Sequence, residues 1–168
     1  MLILAGLRTQ EALRLSWDEV DLDQRLITIP KERMKARKEH VVPIVDAICD
    51  VLIEARDMFG DQAFVFPGMT KGSPCHPRVL ENLLHKQLDV PVSAHGFRST
   101  LRDWLGDCTN VERETCEMIL AHTVQGVEGA YRRSTSIEKR RQALTLWADF
   151  VTGTQVSNVV PLVAQARA

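Results

Sequence analysis

The apolar positions of this chain follow a helical period over most of its length and a strand-like pattern in one short part. Between residues 46 and 59 they recur every three to four positions and Gly60 follows, which predicts an amphipathic helix ending at the glycine. The positions expected to face the core are Ala47, Ile48, Val51, Leu52, Ala55, Met58 and Phe59. Residues 25–29 and 40–44 are rich in β-branched side chains and predict two strands joined by a basic loop.

Shorter apolar patterns predict helices before and after this central part. Residues 1–6 are typical of the end of a buried helix closed by glycine, and a short helix is expected over residues 9–17. Pro77 suits the first position of another helix, because proline lacks the N–H that this position leaves unbonded. The residues of that helix expected to face inward are Val79, Leu80, Leu83, Leu84 and Leu88.

Three further helices are expected in the second half of the chain. They begin near residue 95, cover residues 112–120, and follow a capping box at residues 135–138. The predicted fold class is therefore α+β, mainly α-helical, with a small antiparallel β-sheet or hairpin.

Length and composition predict one globular domain with room for a hydrophobic core, since the chain has 168 residues, of which 45% are hydrophobic and 26% charged. No apolar run is long enough to cross a membrane and no signal peptide is recognisable, so a cytoplasmic protein is expected. The four cysteines have neither C-x-x-C spacing nor a histidine grouping, which favours reduced, mostly buried thiols. We expect no metal and no cofactor.

The formal net charge of −1 argues against a nucleic-acid partner, because DNA-binding domains usually carry a basic excess. Here the basic residues are concentrated locally, at residues 31–38, 132–133 and 139–141. Such a charge run is either a solvated face or a surface that contacts phosphates. The residues expected to contact DNA phosphates are Arg33, Arg37, Lys38, Arg132 and Arg133.

Five side chains suit the cleavage of a phosphodiester without a metal. His95 and Arg98 are three residues apart at a predicted helix start and so share one face. His122 follows the next predicted helix, Tyr131 is the single tyrosine, and Arg8 opens a helix far upstream. Arginine donates bidentate hydrogen bonds to phosphate and stays charged at any working pH.

The activation barrier of phosphodiester cleavage is too large for one arginine to overcome. A single arginine contributes about 10³–10⁵ in rate in phosphoryl-transfer enzymes. Uncatalysed phosphate-ester cleavage requires accelerations of about 10¹⁷ or more. A pair of arginines with acid–base groups is therefore expected. Tyrosine hydroxyls have a free pKa of about 10, so a nucleophilic tyrosine needs a nearby base or cationic field.

Several motifs occur in a fixed order: Gly-Leu-Arg-x-x-Glu from Gly6, Arg-Met-Lys from Arg33, His-Gly-Phe-Arg from His95, Leu-Ala-His from Leu120, and Ala-Tyr from Ala130. Together with Trp-Ala-Asp-Phe, which ends at residue 150, they resemble the tyrosine recombinase (phage integrase) family. The resemblance is to the branch carried by satellite phages and genomic islands. Each motif is weak alone, and their order and spacing make the set specific.

The resemblance implies a domain arrangement and a partner. Residues 1–153 would be the catalytic core, without the N-terminal helices of that domain and without the upstream DNA-binding domains. Residues 154–168 would be a tail that docks on its own domain or on a neighbouring subunit. The partner would be double-stranded DNA at attachment sites, bound by a homotetramer of the full-length protein on the bacterial nucleoid.

The resemblance also implies roles for the five side chains. Arg8 and Arg98 would grip the non-bridging oxygens of the scissile phosphate, with His122 as a third donor. Tyr131 would attack phosphorus and form a 3′-phosphotyrosyl link. His95 would accept the tyrosine proton or orient the phosphate.

Two more residues complete the expected site. Lys35 matches the hairpin lysine that protonates the departing 5′ oxygen in this family, with Lys31 and Lys38 as alternatives. Glu11 stands three residues after Arg8 and would hold its guanidinium in place, unless the two form only a surface pair of little energy.

The implied function is a site-specific DNA recombinase, or integrase. Two other functions remain open at this point. One is an inactive remnant of a mobile element that binds DNA weakly or not at all. The other is relaxation of supercoiled DNA, as in type IB topoisomerases, which share this chemistry.

Overall fold

The computed structural model describes residues 1–122 and 133–154, with side chains in the second range described from residue 136 onward. The helices are α1 Thr9–Leu13, α2 Asp46–Phe59, α3 Pro77–Asn82, α4 Gly96–Cys108, α5 Arg113–Ile119 and α6 Arg133–Thr152. The strands are β1 Val20–Asp21, β2 Leu26–Ile29 and β3 His40–Pro43. A 3₁₀ turn covers Trp17–Glu19, and a π turn covers Leu83–Gln87. The predicted mainly helical α+β fold class is confirmed.

The strands form one antiparallel sheet in the order β1-β2-β3. Ile29 pairs with His40, and Ile27 pairs with Val42. All four side chains are buried, because residues two apart on a strand point to the same face and this face covers the core. The two longer strands were predicted from their β-branched residues. Strand β1 was not, since two residues are too few to show an alternation.

Helix α6 joins the two ends of the described chain through an aromatic cluster. Trp147 lies 5.5 Å, centroid to centroid, from Trp104 of α4, and Phe150 stacks on Trp104 at 4.7 Å. The indole Nε1 of Trp147 donates a 2.9 Å hydrogen bond to the carbonyl oxygen of Ile3. Buried aromatic rings contribute strongly to a core, so this cluster fixes α6 against α4 and the first residues.

Helix α2 has the predicted bounds, and it ends at Gly60, which has a positive φ of 64°. The predicted inward positions Met58 and Phe59 are wrong, because Met58 is 65% exposed and Phe59 is 39% exposed. The buried residues of α2 lie between Ile48 and Ala55, so its last turn runs past the core.

The third helix begins at Pro77 as predicted, but its predicted inward face is wrong. Val79, Leu83 and Leu88 are exposed, whereas Leu84 is buried. The π turn that follows α3 has a different residue period, so the register of a continuous α-helix does not apply here.

Three other helix boundaries differ from the predictions. The helix expected over residues 9–17 ends at Leu13, and residues 1–6 form turns rather than a helix end. The capping box at residues 135–138 is wrong, because α6 begins at Arg133 and these residues lie inside it.

Two composition-based expectations can be compared with the fold. Cys49, Cys75, Cys108 and Cys116 are all free, but the expectation that most of them are buried is wrong, because Cys116 alone among them is buried. Within residues 1–122 and 133–154, none of the helices combines the length and the apolar character needed to span a membrane.

Candidate active site

Arg98 connects the three segments that carry the predicted site residues. Its Nη1 donates to the carbonyl oxygen of Gly6, and its Nη2 donates to the carbonyl oxygen of Leu120 at 2.7 Å. Gly6 precedes Arg8 by two residues, and Leu120 precedes His122 by two residues. The buried guanidinium therefore brings the segments of Arg8 and His122 to the helix that Arg98 itself occupies.

The turn at Gly6 needs glycine for two reasons. Its φ is +59°, a conformation that costs residues with a Cβ atom about 1 kcal/mol or more. A Cβ atom at this position would also lie 3.2 Å from Cδ2 of Leu120. Glycine thus allows the first segment to pack tightly on the end of α5 and to place Arg8 at the start of α1.

Arg8 is held by Glu11, as expected from their spacing. The Nη1 atom of Arg8 donates to Oε1 of Glu11 at 2.8 Å, and the backbone N–H of Arg8 donates to Oε2 at 2.8 Å. The Glu11 side chain is 4% exposed, whereas that of Arg8 is 28% exposed. The buried carboxylate therefore fixes a guanidinium that still reaches solvent.

The environment of Arg98 disfavours its positive charge. Burial and then the nearby positive charge of Arg8 lower its pKa to about 10, while Glu11 opposes these effects. Two guanidiniums that act on each other, one of them buried, favour binding of a negatively charged group.

His122 stands just beyond α5, where Ala121 has a positive φ of 51°. Its Nδ1 lies 2.5 Å from Oε2 of Glu117, and its backbone N–H donates to the carbonyl oxygen of Glu117. Oε1 of Glu117 accepts a 2.9 Å hydrogen bond from Nε of Arg102. Burial opposes ionisation of Glu117, but the hydrogen bonds from His122 and Arg102 outweigh it and lower the pKa.

His95 is the residue that precedes the first turn of α4, and its carbonyl oxygen accepts a hydrogen bond from the backbone N–H of Arg98. Its side chain is exposed. The structure thus places His95 one turn before Arg98, at the start of α4, where the backbone N–H of Gly96 donates to the carbonyl and hydroxyl oxygens of Ser93.

The basic loop between β2 and β3 is anchored at its base. Met34 is buried in the core, and Arg33 forms an ion pair with Glu19 and donates to the carbonyl oxygen of Glu11 at 3.1 Å. The loop is thereby tied to α1, the helix that Arg8 opens. Its other basic residues are exposed, namely Lys31, Lys35, Arg37 and Lys38.

Two arginines of α6, Arg140 and Arg141, donate to backbone carbonyl oxygens of the protein. Arg140 is buried and donates to the carbonyl oxygens of Val41 and Ser136. Arg141 donates to the carbonyl oxygen of Ile44 at 3.0 Å. Lys139 pairs with Glu112 at 2.9 Å. These contacts fix the first half of α6 to strand β3 and α5.

Three predicted site residues are not covered by this description. Tyr131 and Arg132 lie outside the described residues, and so does the side chain of Arg133, whose backbone is the first position of α6.

Arg8, Glu11 and Arg98 lie close enough to one another for their charges to interact.

One buried histidine was not singled out in the sequence. His40, the first residue of β3, is 5% exposed. Burial and the charges of Arg140, Arg98 and Arg8 lower its pKa to about 4, while Glu11 opposes this. The signal in the sequence was its strand position, two residues before the buried Val42, which places it on the inward face.

Among the described residues there is no group of three histidine, cysteine, aspartate or glutamate side chains able to hold a metal ion. The cluster described above is instead built from guanidiniums, imidazoles and single carboxylates. Such a donor set suits an anionic oxygen ligand.

The sequence was compared with known proteins. Residues 1–143 match the Phage integrase family. The chain is 31% identical over 166 residues to prophage integrase IntZ of Escherichia coli (strain K12), an alignment that covers 96% of this chain and 40% of IntZ. The chain belongs to the phage integrase family. The chain spans well under half the length of IntZ. The predicted resemblance to the tyrosine recombinase family is confirmed.

Solved structures of the family have the same fold. The integrase from mycobacterium phage Brujita is 19% identical with a TM-score of 0.58, over 85% of this chain and 47% of that one. The integrase of transposon Tn1549, solved in complex with circular intermediate DNA, is 12% identical with a TM-score of 0.54, over 80% of this chain and 54% of that one. At these identities the likeness concerns the integrase fold alone.

Proposed function

We propose that this chain is the catalytic part of a site-specific DNA recombinase, which cleaves and rejoins double-stranded DNA through a 3′-phosphotyrosyl link. The observation that carries the proposal is the guanidinium of Arg98, bound to the carbonyl oxygens of Gly6 and Leu120 beside the charge of Arg8. Membership of the phage integrase family supports the same reaction. DNA as the substrate is supported by the Tn1549 integrase, which was solved bound to DNA.

The scissile phosphate would be gripped by Arg8 and Arg98. A guanidinium has five N–H donors, and Arg98 uses one on each of two carbonyl oxygens, so three remain for a ligand. Arg8 uses a side-chain donor on Glu11 and is otherwise partly exposed. A bound phosphate reduces the repulsion between the two guanidiniums. This reduction is largest in the transition state, when the phosphate oxygens gain negative charge.

His122 would donate the third hydrogen bond to the phosphate. An ionised Glu117 accepts the proton at Nδ1 of His122, which leaves Nε2 facing away from the carboxylate. The same carboxylate is fixed by Arg102. His95, exposed at the start of α4, would orient the phosphate or accept the proton of the tyrosine.

The nucleophile would be Tyr131, whose hydroxyl oxygen bonds to phosphorus while the bond to the 5′ oxygen breaks. Lys35 would give a proton to that departing oxygen, since an ammonium proton is transferable and a guanidinium proton is not. Attack by a 5′ hydroxyl on the phosphotyrosyl link would restore the DNA backbone. The phosphotyrosyl link would thus conserve the free energy of the broken phosphodiester bond until the strands are rejoined.

The proposed contacts with DNA phosphates are Arg37, Lys38, Arg132 and Arg133. Arg33, which was predicted to contact phosphates as well, has its guanidinium paired with Glu19 and hydrogen-bonded to the backbone carbonyl oxygen of Glu11. We therefore infer that Arg33 positions the loop on which Lys35, Arg37 and Lys38 are exposed. A loop anchored at Arg33 and Met34 would hold Lys35 near α1 without restricting its side chain.

The assembly is also proposed from the family. Residues 1–153 would form the catalytic domain, and residues 154–168 would dock on this domain or on a neighbouring copy. The full-length protein would act as a tetramer on its attachment sites in the bacterial cytoplasm.

The test is covalent capture on suicide duplexes that carry a nick in one strand and a randomised sequence around it. The nick lets the short 5′ product diffuse away, so a phosphotyrosyl adduct accumulates and can be counted on a denaturing gel. We expect an adduct with the unchanged chain and none with Tyr131→Phe. Mass spectrometry of the digested adduct should locate the nucleotide on Tyr131.

Other results of this capture experiment would favour the alternative functions. An adduct that persists in Tyr131→Phe would contradict the nucleophile, and the absence of any adduct over the whole randomised pool would favour an inactive remnant. Relaxation of a supercoiled plasmid that contains none of the captured sequences would favour topoisomerase-like activity.

A further inference from the structure

The side chain of His40 is nearly buried and yet has no hydrogen-bond partner among the described residues. Of its surface only 5% is exposed. Every fully buried side-chain nitrogen or oxygen in the described part of the chain has a hydrogen-bond partner. The unbonded ring nitrogens of His40 are therefore the atoms through which this side chain reaches the surface.

Charged groups from three helical elements act on the ring of His40. They are Arg8 and Glu11 at α1, Arg98 on α4 and Arg140 on α6. Arg140 also donates to the carbonyl oxygen of Val41, the next residue along β3. The imidazole of His40 thus lies close enough to Arg8 and Arg98, which we propose to hold the scissile phosphate, for their charges to act on it.

Burial and these positive charges keep His40 neutral at pH 7. A neutral imidazole has one N–H donor and one acceptor nitrogen. A histidine that served packing alone would be expected to place its N–H on a carbonyl or carboxylate oxygen, because an unbonded polar group in a desolvated site is costly. Among the described residues, the charged groups that act on His40 are three guanidiniums and the carboxylate of Glu11, and none of them is hydrogen-bonded to the ring.

We propose that His40 is a further phosphate-binding residue of this site, which donates a ring N–H to an oxygen of the bound phosphodiester. The proposal rests on the proposed recombinase function for the nature of the ligand. A neutral donor adds a further hydrogen bond to those of Arg8, Arg98 and His122 without adding a third positive charge beside the two guanidiniums. When the anion is bound, its negative charge favours the protonated imidazole and strengthens that bond.

The first test measures whether phosphate contacts the ring. Imidazole nitrogen signals of the full 168-residue chain are titrated by NMR in inorganic phosphate and in chloride at equal ionic strength. We expect phosphate to raise the pKa of His40 by roughly one unit or more, with no such change at His85, which is exposed. An unchanged pKa of His40 in phosphate would overturn the proposal, whether or not phosphate binds elsewhere.

The second test uses variants that keep or remove the donor. Gln carries an amide N–H near the position of Nε2, and Asn carries one near Nδ1. His40→Leu should slow capture on the suicide duplexes by about 10²-fold or more. One of His40→Gln and His40→Asn should stay within about tenfold of the unchanged chain, and it identifies the donor nitrogen. Equal rates in His40→Leu and the unchanged chain would overturn the proposal.

A folding measurement separates phosphate binding from a structural role. His40→Leu removes an unbonded polar group from the interior, so its melting temperature should be equal to or higher than that of the unchanged chain. A lower melting temperature combined with unchanged phosphate binding would assign His40 to the scaffold. If the unchanged chain captures no DNA, the recombinase function fails, and the NMR titration still decides the role of His40.

Discussion

The Nη2 atom of Arg98 donates a 2.7 Å hydrogen bond to the carbonyl oxygen of Leu120, two residues before His122. Its Nη1 atom reaches the carbonyl oxygen of Gly6, two residues before Arg8. One guanidinium therefore serves the scaffold and the proposed phosphate site. Substitutions here should change both folding stability and chemistry, whereas substitutions of Arg8 should mainly change chemistry.

Replacing Arg98 with Lys is expected to lower the free energy of unfolding by about 2–4 kcal/mol. Lysine keeps the charge but cannot reach both carbonyl oxygens, and a buried acceptor left unbonded costs about 1–3 kcal/mol. Arg8→Lys should cost less than about 1 kcal/mol, because the Arg8–Glu11 pair is partly exposed. Urea denaturation measures both, with Arg102→Lys on the same helix as a control. Equal losses in Arg98→Lys and Arg8→Lys would contradict the scaffold role.

Glu117→Gln is expected to slow covalent capture by about tenfold or more while the chain stays folded. The substitution keeps the shape of the side chain but removes the charge that holds Nδ1 of His122 and Nε of Arg102. Capture rates are compared with those of Glu114→Gln, on the same helix. A normal rate in Glu117→Gln would show that the orientation of His122 does not depend on this carboxylate.

The two arginines of the β2–β3 loop should respond to salt in different ways. Arg37→Ala should reduce the slope of log affinity against log salt for a mixed-sequence duplex by about 0.9, the value for one lost phosphate contact. Arg33→Ala should leave that slope unchanged and lower the free energy of unfolding, because Arg33 pairs with Glu19 and donates to the backbone carbonyl oxygen of Glu11. Fluorescence anisotropy at several salt concentrations measures the slopes. A reduced slope in Arg33→Ala would restore this residue to the DNA contacts.

His40 should make folding stability depend on pH between about 6.5 and about 4. Its pKa is lowered from 6.5 to about 4 in the folded protein, so in this range the unfolded chain binds a proton that the folded chain does not. The free energy of unfolding therefore falls as the pH falls through this window, by roughly 3 kcal/mol in total.

The measurement for this prediction is denaturation at a series of pH values for the unchanged chain, His40→Leu and His85→Gln. The difference between the unchanged chain and His40→Leu isolates the contribution of His40 from that of the carboxylates. His85→Gln should follow the unchanged chain, since His85 is exposed. Parallel curves for the unchanged chain and His40→Leu would contradict the lowered pKa.

Much of the fold was predictable because it depends on local patterns. The helical period and the terminal glycine identified α2 with its observed bounds, and β-branched residues identified β2 and β3. The exposed Met58 and Val79 were not predictable, because a hydrophobic period indicates which residues share a face but not how far the core extends along it.

For the proposed site, the sequence by itself determined the residue types and their order, from Arg8 through His95 and Arg98 to His122 and Tyr131. These were recognisable because phosphoryl transfer needs cationic and acid–base side chains, and because the motifs that carry them resemble those of the phage integrase family. Only the tertiary structure decided that Arg98 binds carbonyl oxygens 92 and 22 residues away, that Arg33 is paired internally, and that His40 is enclosed by cationic side chains. The physical reason is that burial and charge interactions depend on which distant segments pack together, and a local pattern does not record that packing.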